Sequence, residues 1–523
     1  MNFPTLIHRP IEGLRRERHR DLWAPWLLLL FAVLIFGVLQ IGGGAYSAEF
    51  DGHPDEAAHF MTGLLIRDYL HEWPPPPPVV WAEQYYVHYP KVSFGHWPPL
   101  FHSMLALWWT LFSPSRFSAI LLIGLLSLAV VAVFYRIARN LFPRPVALAG
   151  VCLLMASPVF QQSASQVMAE QLTLFFGLLF IGACAHLIDE NSHDKGIEAG
   201  IWGALCLLVK GTAVCLIPVP LIALLLNGRL RSRQVRSAAV TAVVIMLVVT
   251  AVWYSLQNQY FSSVVGWGGL RRKWPWRIDL ILSLAGPGFL ALGIAGMLTL
   301  LRFRQPLVAV SAALGLSCAA ASYFVRAMNE PRHFYLALPA ILLLALAALH
   351  GAWEFRPALP LLAAVGLLFF PWTYYRQHPA GYVKFTHQIA LPSRILASGT
   401  PGWRIEGSSI VLISLREHRP SSIVIRATKF FRPLEHTSSA VLEIALDQYN
   451  VQTVILAPPS DGPETAQQIL LRDTMAASPA WRPCIESGSL RAYCRVLPPQ
   501  VPLRPIEVDV RKKLGRSFFE QMK

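Results

Sequence analysis

The sequence predicts a polytopic α-helical membrane protein that ends in a small α/β domain. Three observations lead there. Only 14% of the residues are charged while 54% are hydrophobic, whereas a soluble domain carries about 25% charged residues. Leu/Ala/Val runs of spanning length recur between residues 23 and 370. From about Arg376 the composition shifts to short strand-like runs alternating with helical ones. The formal net charge is +15. Nucleic acid is not the expected partner, because many arginines lie in short segments between apolar runs, the pattern that membrane topology produces.

Arg9, Arg15, Arg16, Arg18 and Arg20 precede the first apolar run, Trp23 to Ile41. A secretory signal has an apolar core of roughly 7–15 residues, and a span needs roughly 20. The run is therefore read as a retained anchor, although Ala45-Tyr46-Ser47 could pass for a cleavage site. A polar, aromatic loop follows from Gly42 to about Phe94. Its five prolines, Pro74 to Pro78, read as a stiff polyproline II spacer of about 3.1 Å per residue. His96-Trp97-Pro98-Pro99-Leu100 then opens a short aromatic helix, Phe101 to Phe112, suited to the membrane interface.

The further runs are Ser118 to Val133, Val146 to Phe160, Leu172 to Ile188, a pair broken around Lys210-Gly211 (Ile197 to Val209 and Thr212 to Leu226), Ala238 to Leu256, Leu280 to Leu301, Leu307 to Phe324, Phe334 to Leu349, and Leu359 to Phe370. One helix per run of roughly 17–25 residues gives about eleven spans. Lys/Arg bias puts the N-terminus in the cytoplasm, with Arg136, Arg139, Arg144, then Arg229, Arg231, Arg233, Arg236, then Arg302 and Arg304 on inner loops. An odd number of spans then leaves the C-terminal region outside. The expected division is a transmembrane domain over residues 1–375, with its first outer loop at 42–117, and an extracytoplasmic α/β domain over 376–523. The location is the inner (plasma) membrane, with membrane lipids as partners.

Two outer segments break the charge rule: Arg271-Arg272-Lys273-Trp274-Pro275-Trp276-Arg277, and Arg326 to His333 with Arg332. Either the topology differs locally, or these cations are kept outside to hold an anion such as a lipid phosphate, which the planar guanidinium suits.

In the C-terminal region Ser393 to Ser398, Ser422 to Ala427 and Val451 to Ala457 read as strands. Glu406 to His418, Ser438 to Tyr449 and Pro463 to Ala476 read as helices, which together make a small parallel α/β domain. Trp481 to Ile485 and Leu490 to Val496 form an edge hairpin carrying Cys484 and Cys494, which would pair if the region lies outside the cytoplasm. Cys152, Cys184, Cys206, Cys215 and Cys318 lie in apolar runs and read as small hydrophobes. Gly399-Thr400-Pro401-Gly402 lacks the spacing of a phosphate-binding loop, so a covering domain is expected rather than a nucleotide site.

The candidate working end is His53-Pro54-Asp55-Glu56-Ala57-Ala58-His59-Phe60. Pro54 suits the first position of a helix, with Asp55 and Glu56 in a first turn that favours carboxylates. That placement alone makes a good helix start. It also sets two acids between His53 and His59, facing a loop that can cover them. Asp55 and His59 share a helix face, so a His/carboxylate metal site is a further reading. Glu170 sits at the outer junction of two spans, where it faces a cavity or bonds a neighbouring helix. Lys210, in the broken pair, either snorkels or meets a phosphate. Asp189-Glu190 with Asp194 reads as a solvated inner loop.

The order of these features resembles the GT-C superfamily of integral-membrane glycosyltransferases, in the branch of protein O-mannosyltransferases and the bacterial aminoarabinose transferase. The matching parts are Asp55-Glu56 after the first span, Trp97-Pro98-Pro99-Leu100, and Tyr135-Arg136-Ile137-Ala138-Arg139-Asn140-Leu141-Phe142. Glu170, Leu208-Val209-Lys210-Gly211 and Pro331-Arg332-His333-Phe334-Tyr335 complete them. The resemblance covers about Trp23 to Phe370. It departs at Trp97, where bacterial relatives often have Lys, and in the C-terminal α/β region.

The resemblance implies transfer of a sugar from a polyprenyl-phosphate carrier to an acceptor (lipid, glycan or protein) on the outer face, with no cofactor. A phosphate leaving group needs cations rather than a general acid, and one carboxylate then suffices to deprotonate the acceptor hydroxyl. One-step displacement would invert the anomeric centre without a metal, unlike the two-carboxylate arrangement of hydrolases. The implied roles are Asp55 as base and Glu56 as its support. His59, His96, Glu170, Lys210, Arg271, Arg272, Arg332 and His333 are the substrate contacts. Two rivals stand beside it. A carrier for a lipid-linked sugar would need inverted repeats, and a non-catalytic assembly scaffold would work through its α/β domain.

Overall fold

The structure is a computed structural model that describes residues 33–34, 36–50, 53–89, 92, 97–261, 278–300, 304–324, 330–351, 367, 370, 374–379, 381–390, 393–397, 423–426, 438–456, 466–487 and 490–503. Most of the first apolar run, most of Leu359 to Phe370 and the expected helix Glu406 to His418 lie outside these residues.

The outer segment after the first run is not only a loop. It holds α1 (Pro54–His71) and α2 (Pro78–His88). Helix α1 is capped by His53, whose ring accepts the Asp55 N–H, and has Pro54 in its first turn. Buried Ala57, Phe60, Met61 and Leu64 then make the apolar stripe of a 3.6-residue period. Helix α2 starts on the last of the five prolines, so the spacer shortens to the residues before it. The stripe of α1 packs on α3 (Leu100–Leu111), which buries Phe101, Leu105 and Trp109 against it.

Next come α4 (Arg116–Arg139), capped by the Ser115 hydroxyl, and α5 (Arg144–Ala156) with α6 (Pro158–Ser165). The α5–α6 pair, read from sequence as one run, bends by 63°. Pro158 supplies no N–H, and Ser157 is extended. Helix α7 (Glu170–Glu190) is followed by α8 (His193–Val209), a 3-10 turn Gly211–Leu216 and α9 (Val219–Asn227), so the broken pair is broken at Lys210. Helices α10 (Arg233–Phe261), α11 (Ile278–Leu300), α12 (Pro306–Phe324) and α13 (Ala337–Gly351) complete the bundle. Helix α11 is interrupted at Gly286, which has a left-handed φ of 77° and precedes Pro287. Helices α8 and α10 approach closely through glycine: a Cβ on Gly196 would lie 2.5 Å from the Ala238 carbonyl oxygen.

Among the described residues four helices are long and apolar enough to cross a membrane, with the bent α5–α6 pair a possible fifth span. One large apolar core joins α4 to α13. Helix α7 sets the depth of the bundle: its 21 residues rise about 31 Å, a bilayer's hydrocarbon thickness. Its last turn, at Ile188 and Asn191, receives the Arg229 guanidinium. Its first residue, Glu170, therefore lies at the opposite membrane face from the arginine-rich turns.

Beyond the bundle, segment 374–379 returns to the outer loop. Gln377 N–H donates to the Gly43 carbonyl at 2.8 Å, and the Tyr382 N–H donates to Glu49 at 2.8 Å. After α14 (Tyr382–Thr386) the chain forms β1 (Arg394–Ala397), β2 (Ile423–Arg426), α15 (Ser439–Gln448), β3 (Thr453–Leu456), α16 (Ala466–Ala477), β4 (Trp481–Ser487) and β5 (Leu490–Arg495). The sheet order is β2-β1-β3-β5-β4, with β1 parallel to β2 and β3 and the hairpin antiparallel at one edge. Ile395, Leu396 and Ala397 are all buried, as a strand covered on both faces requires. Leu396 and Val454 face the cluster of α15 and α16, and Ile395 and Ile455 face α14.

Cys484 and Cys494 form a disulfide across the hairpin, with Cα atoms 5.7 Å apart. Among the described cysteines, Cys184, Cys206, Cys215 and Cys318 are buried free thiols. Closing a short loop should contribute about 2–3 kcal/mol. Cys494→Ser should therefore speed amide exchange in β3 and β5 while leaving the bundle helices unchanged. Hydrogen exchange by mass spectrometry would measure it.

Candidate functional site

Three helix ends and one turn converge at the membrane face opposite the arginine-rich turns. The ends are chemically matched. Asp55 stands in the first turn of α1 and Glu170 opens α7, both N-termini with positive dipole ends. Lys210 is the C-cap of α8, where carbonyls leave a negative end. The 3-10 turn Pro331–Phe334 brings Arg332 between them.

Arg332 is the hub. Its Nη2 donates to Asp55 Oδ2 at 2.8 Å, its Nη1 lies 3.6 Å from Glu170 Oε1, and its Nε donates to Glu330 Oε2 at 2.5 Å. Lys210 Nζ donates to the same Glu170 oxygen at 2.5 Å. His53 closes a ring: Nδ1 accepts the Asp55 N–H, so Nε2 carries the proton and faces Glu330 Oε2 at 3.5 Å. Burial pushes the Asp55 carboxyl up, but Arg332 and then His53 outweigh it and hold it below the ordinary carboxylate range. The His53 contact, then Arg332, holds Glu330 down to about 2. His333 shares the turn, and burial, with Lys210 and Arg332 beside it, lowers it to about 3. Glu170 is buried, and its second oxygen, Oε2, has no hydrogen-bond partner among the described residues. Asp55 is about a third exposed at the mouth. The arrangement sets a partly exposed carboxylate beside two largely buried cations.

Glu56 does not join this cluster. Its side chain is fully buried, and Oε1 accepts Nε and Nη2 of Arg116, at 3.0 and 2.8 Å, and the Val167 N–H at 3.0 Å. Arg116 also donates to the Ala45 carbonyl and to Gln377 Oε1, the latter at 3.1 Å. The expected support for Asp55 is thus indirect: Glu56 ties α1 to α4, to the 165–167 turn and to the 374–379 segment.

His59 is buried beneath the cluster. Its Nδ1 is 2.9 Å from His102 Nε2, and its ring stacks on Trp97 at 4.0 Å. Burial, then His102, holds His59 below its ordinary range, so the pair is neutral at physiological pH. His96, Arg271 and Arg272 lie outside the described residues. Among the described residues no group of three or more His, Cys, Asp or Glu is placed to hold a metal ion. Sequence reasoning missed Glu330, His102 and Arg116 as parts of the site and its frame. Glu330-Pro331 did carry a signal, an acid before a proline that starts a turn.

Residues 96–255 match the family model for dolichyl-phosphate-mannose-protein mannosyltransferase. The chain is similar to the solved structure of ArnT from Cupriavidus metallidurans. In the apo state the identity is 13% and the TM-score 0.58, covering 90% of this chain and 98% of that one. Against the same protein bound to undecaprenyl phosphate, the values are 13% and 0.58, covering 91% and 99%. The Archaeoglobus fulgidus oligosaccharyltransferase tethered with an acceptor peptide is similar at 13% identity and a TM-score of 0.51, over 83% of this chain and 69% of that one. No curated protein matches the sequence. The chain has the GT-C fold and is a multi-pass membrane protein.

Arg116→Ala would strip the buried Glu56 carboxyl of its cation partner. It should destabilise the fold by about 3–5 kcal/mol, read as a drop in the thermal unfolding midpoint of the detergent-solubilised protein.

Proposed function

We propose that the protein is a membrane glycosyltransferase that moves a sugar from a polyprenyl-phosphate carrier to an acceptor on the extracytoplasmic face. The observation that carries the reading is the meeting of Asp55 with Arg332, Lys210 and Glu170 at one pocket. The family-model match and the likeness to ArnT support it. The side on which the pocket opens follows from the basic N-terminus and the arginine-rich turns at the other end of α7.

In this reading Asp55 takes the proton of the acceptor hydroxyl, whose oxygen attacks the anomeric carbon. The bond from that carbon to the phosphate oxygen breaks, and the electron pair leaves with the phosphate. Arg332 and Lys210 hold the charge that develops there, so no proton donor or metal is required. Attack opposite the leaving group inverts the centre. Glu170 orients both cations, and Glu56 keeps the first turn of α1 in place through Arg116. His59 and His333 line the cleft as neutral contacts. Arg271 and Arg272 are further phosphate contacts in the same proposal, and the acceptor is a lipid, glycan or protein.

Asp55→Asn keeps the shape and removes the base. Transfer from a polyprenyl-phosphate sugar, followed with the purified protein, should fall by about 10²–10⁴-fold while membrane insertion stays normal. Unchanged turnover would end the assignment, and a variant that still moves lipid across a bilayer without making a glycosidic bond would favour a carrier. Arg332→Ala removes the main group that holds Asp55 low and leaves burial opposed chiefly by His53, so the Asp55 pKa rises. Residual activity of that variant should decline as the pH falls through the weakly acidic range.

A further inference from the structure

The cluster is short of cations for a phosphate site. Among the described residues Lys210 and Arg332 are the Lys and Arg partners of three acids, Asp55, Glu170 and Glu330, which histidines also flank. Both cations are engaged by carboxylates, so an entering phosphate competes with those carboxylates for them. Glu330 is the displaceable one. Glu170 is buried, but the Glu330 side chain is 40% exposed, and a solvent-screened pair yields more readily than a buried one. Glu330 is also held from outside the pocket: His53 Nε2 lies 3.5 Å from its carboxylate, and its N–H donates to His333 Nδ1 at 3.3 Å. It fixes the Nε edge of Arg332 and so turns the Nη2 edge onto Asp55.

We propose that Glu330, steadied by His53, is a positioning residue that parks Arg332 on Asp55 until the phosphate of the lipid donor takes Arg332 over. The inference rests on the donor being a polyprenyl phosphate. Its consequence is an order of events. While Arg332 is parked, its N–H groups occupy the Asp55 oxygen that would take the acceptor's proton. Arrival of the phosphate draws Arg332 away and frees that oxygen, so the donor binds first and the base is exposed only when a leaving group is in place.

The test uses the full-length protein in detergent, titrated with undecaprenyl phosphate and, separately, with neutral undecaprenol. The unmodified protein should prefer the phosphate. Removing the competing carboxylate raises the fraction of molecules with Arg332 available, so Glu330→Gln should bind undecaprenyl phosphate about tenfold tighter, with undecaprenol binding unchanged. Glu330→Asp should restore the original affinity. His53→Asn keeps a capping side chain but loses the Nε2 contact, and should tighten phosphate binding in the same direction. Equal or weaker phosphate binding by Glu330→Gln overturns the parking role, as does equal tightening for both lipids. An unmodified protein that does not distinguish the phosphate from the alcohol would instead overturn the donor assignment itself.

Discussion

The site depends on the Asp55–Arg332 pair, a 2.8 Å contact between residues 277 positions apart. It joins the first turn of α1 to the turn between α12 and α13, and it is largely shielded from water. Such a pair is costly to bury unless each partner has further bonds. Here Glu170, Glu330 and Lys210 supply them, and the helix ends supply the rest: acids at N-termini, an ammonium at a C-terminus. The backbone thus does part of the electrostatic work before any side chain is chosen.

Much of the bundle was legible in the sequence because apolar runs of spanning length leave few alternatives. The break at Lys210 was legible too, since a lysine followed by glycine in such a run has no other comfortable explanation. Glu170, Lys210, Arg332 and Asp55 could each be picked out as ionisable residues at membrane depth or in an outer turn. Their convergence could not, because nothing in a run length says which helices touch. Glu56 shows the limit most clearly. It is adjacent to Asp55, but successive helical residues point about 100° apart, so one acid reaches the cleft and the other faces Arg116 in the packed interior.

The start of α1 at Pro54 was legible, and its stripe of Ala57, Phe60, Met61 and Leu64 has the right period, but the second helix of that segment was hidden. Five prolines read as a spacer until the last is seen to begin α2. The parallel strands of the C-terminal sheet were easier, because short runs such as Thr453 to Leu456 and Ile423 to Arg426, rich in β-branched residues, fit little else. Glu330 escaped notice because it is exposed in part and flanks a turn, where an acid usually signifies no more than solubility.

Gln377 accepts a hydrogen bond from Arg116 and gives one to the Ser165 carbonyl, completing a network begun some 261 residues earlier. During synthesis the early partners emerge first and have to wait for it. Until the last spans have threaded the membrane, the buried Glu56–Arg116 pair is missing one wall. Completion of this network is thereby tied to completion of the chain through Gln377.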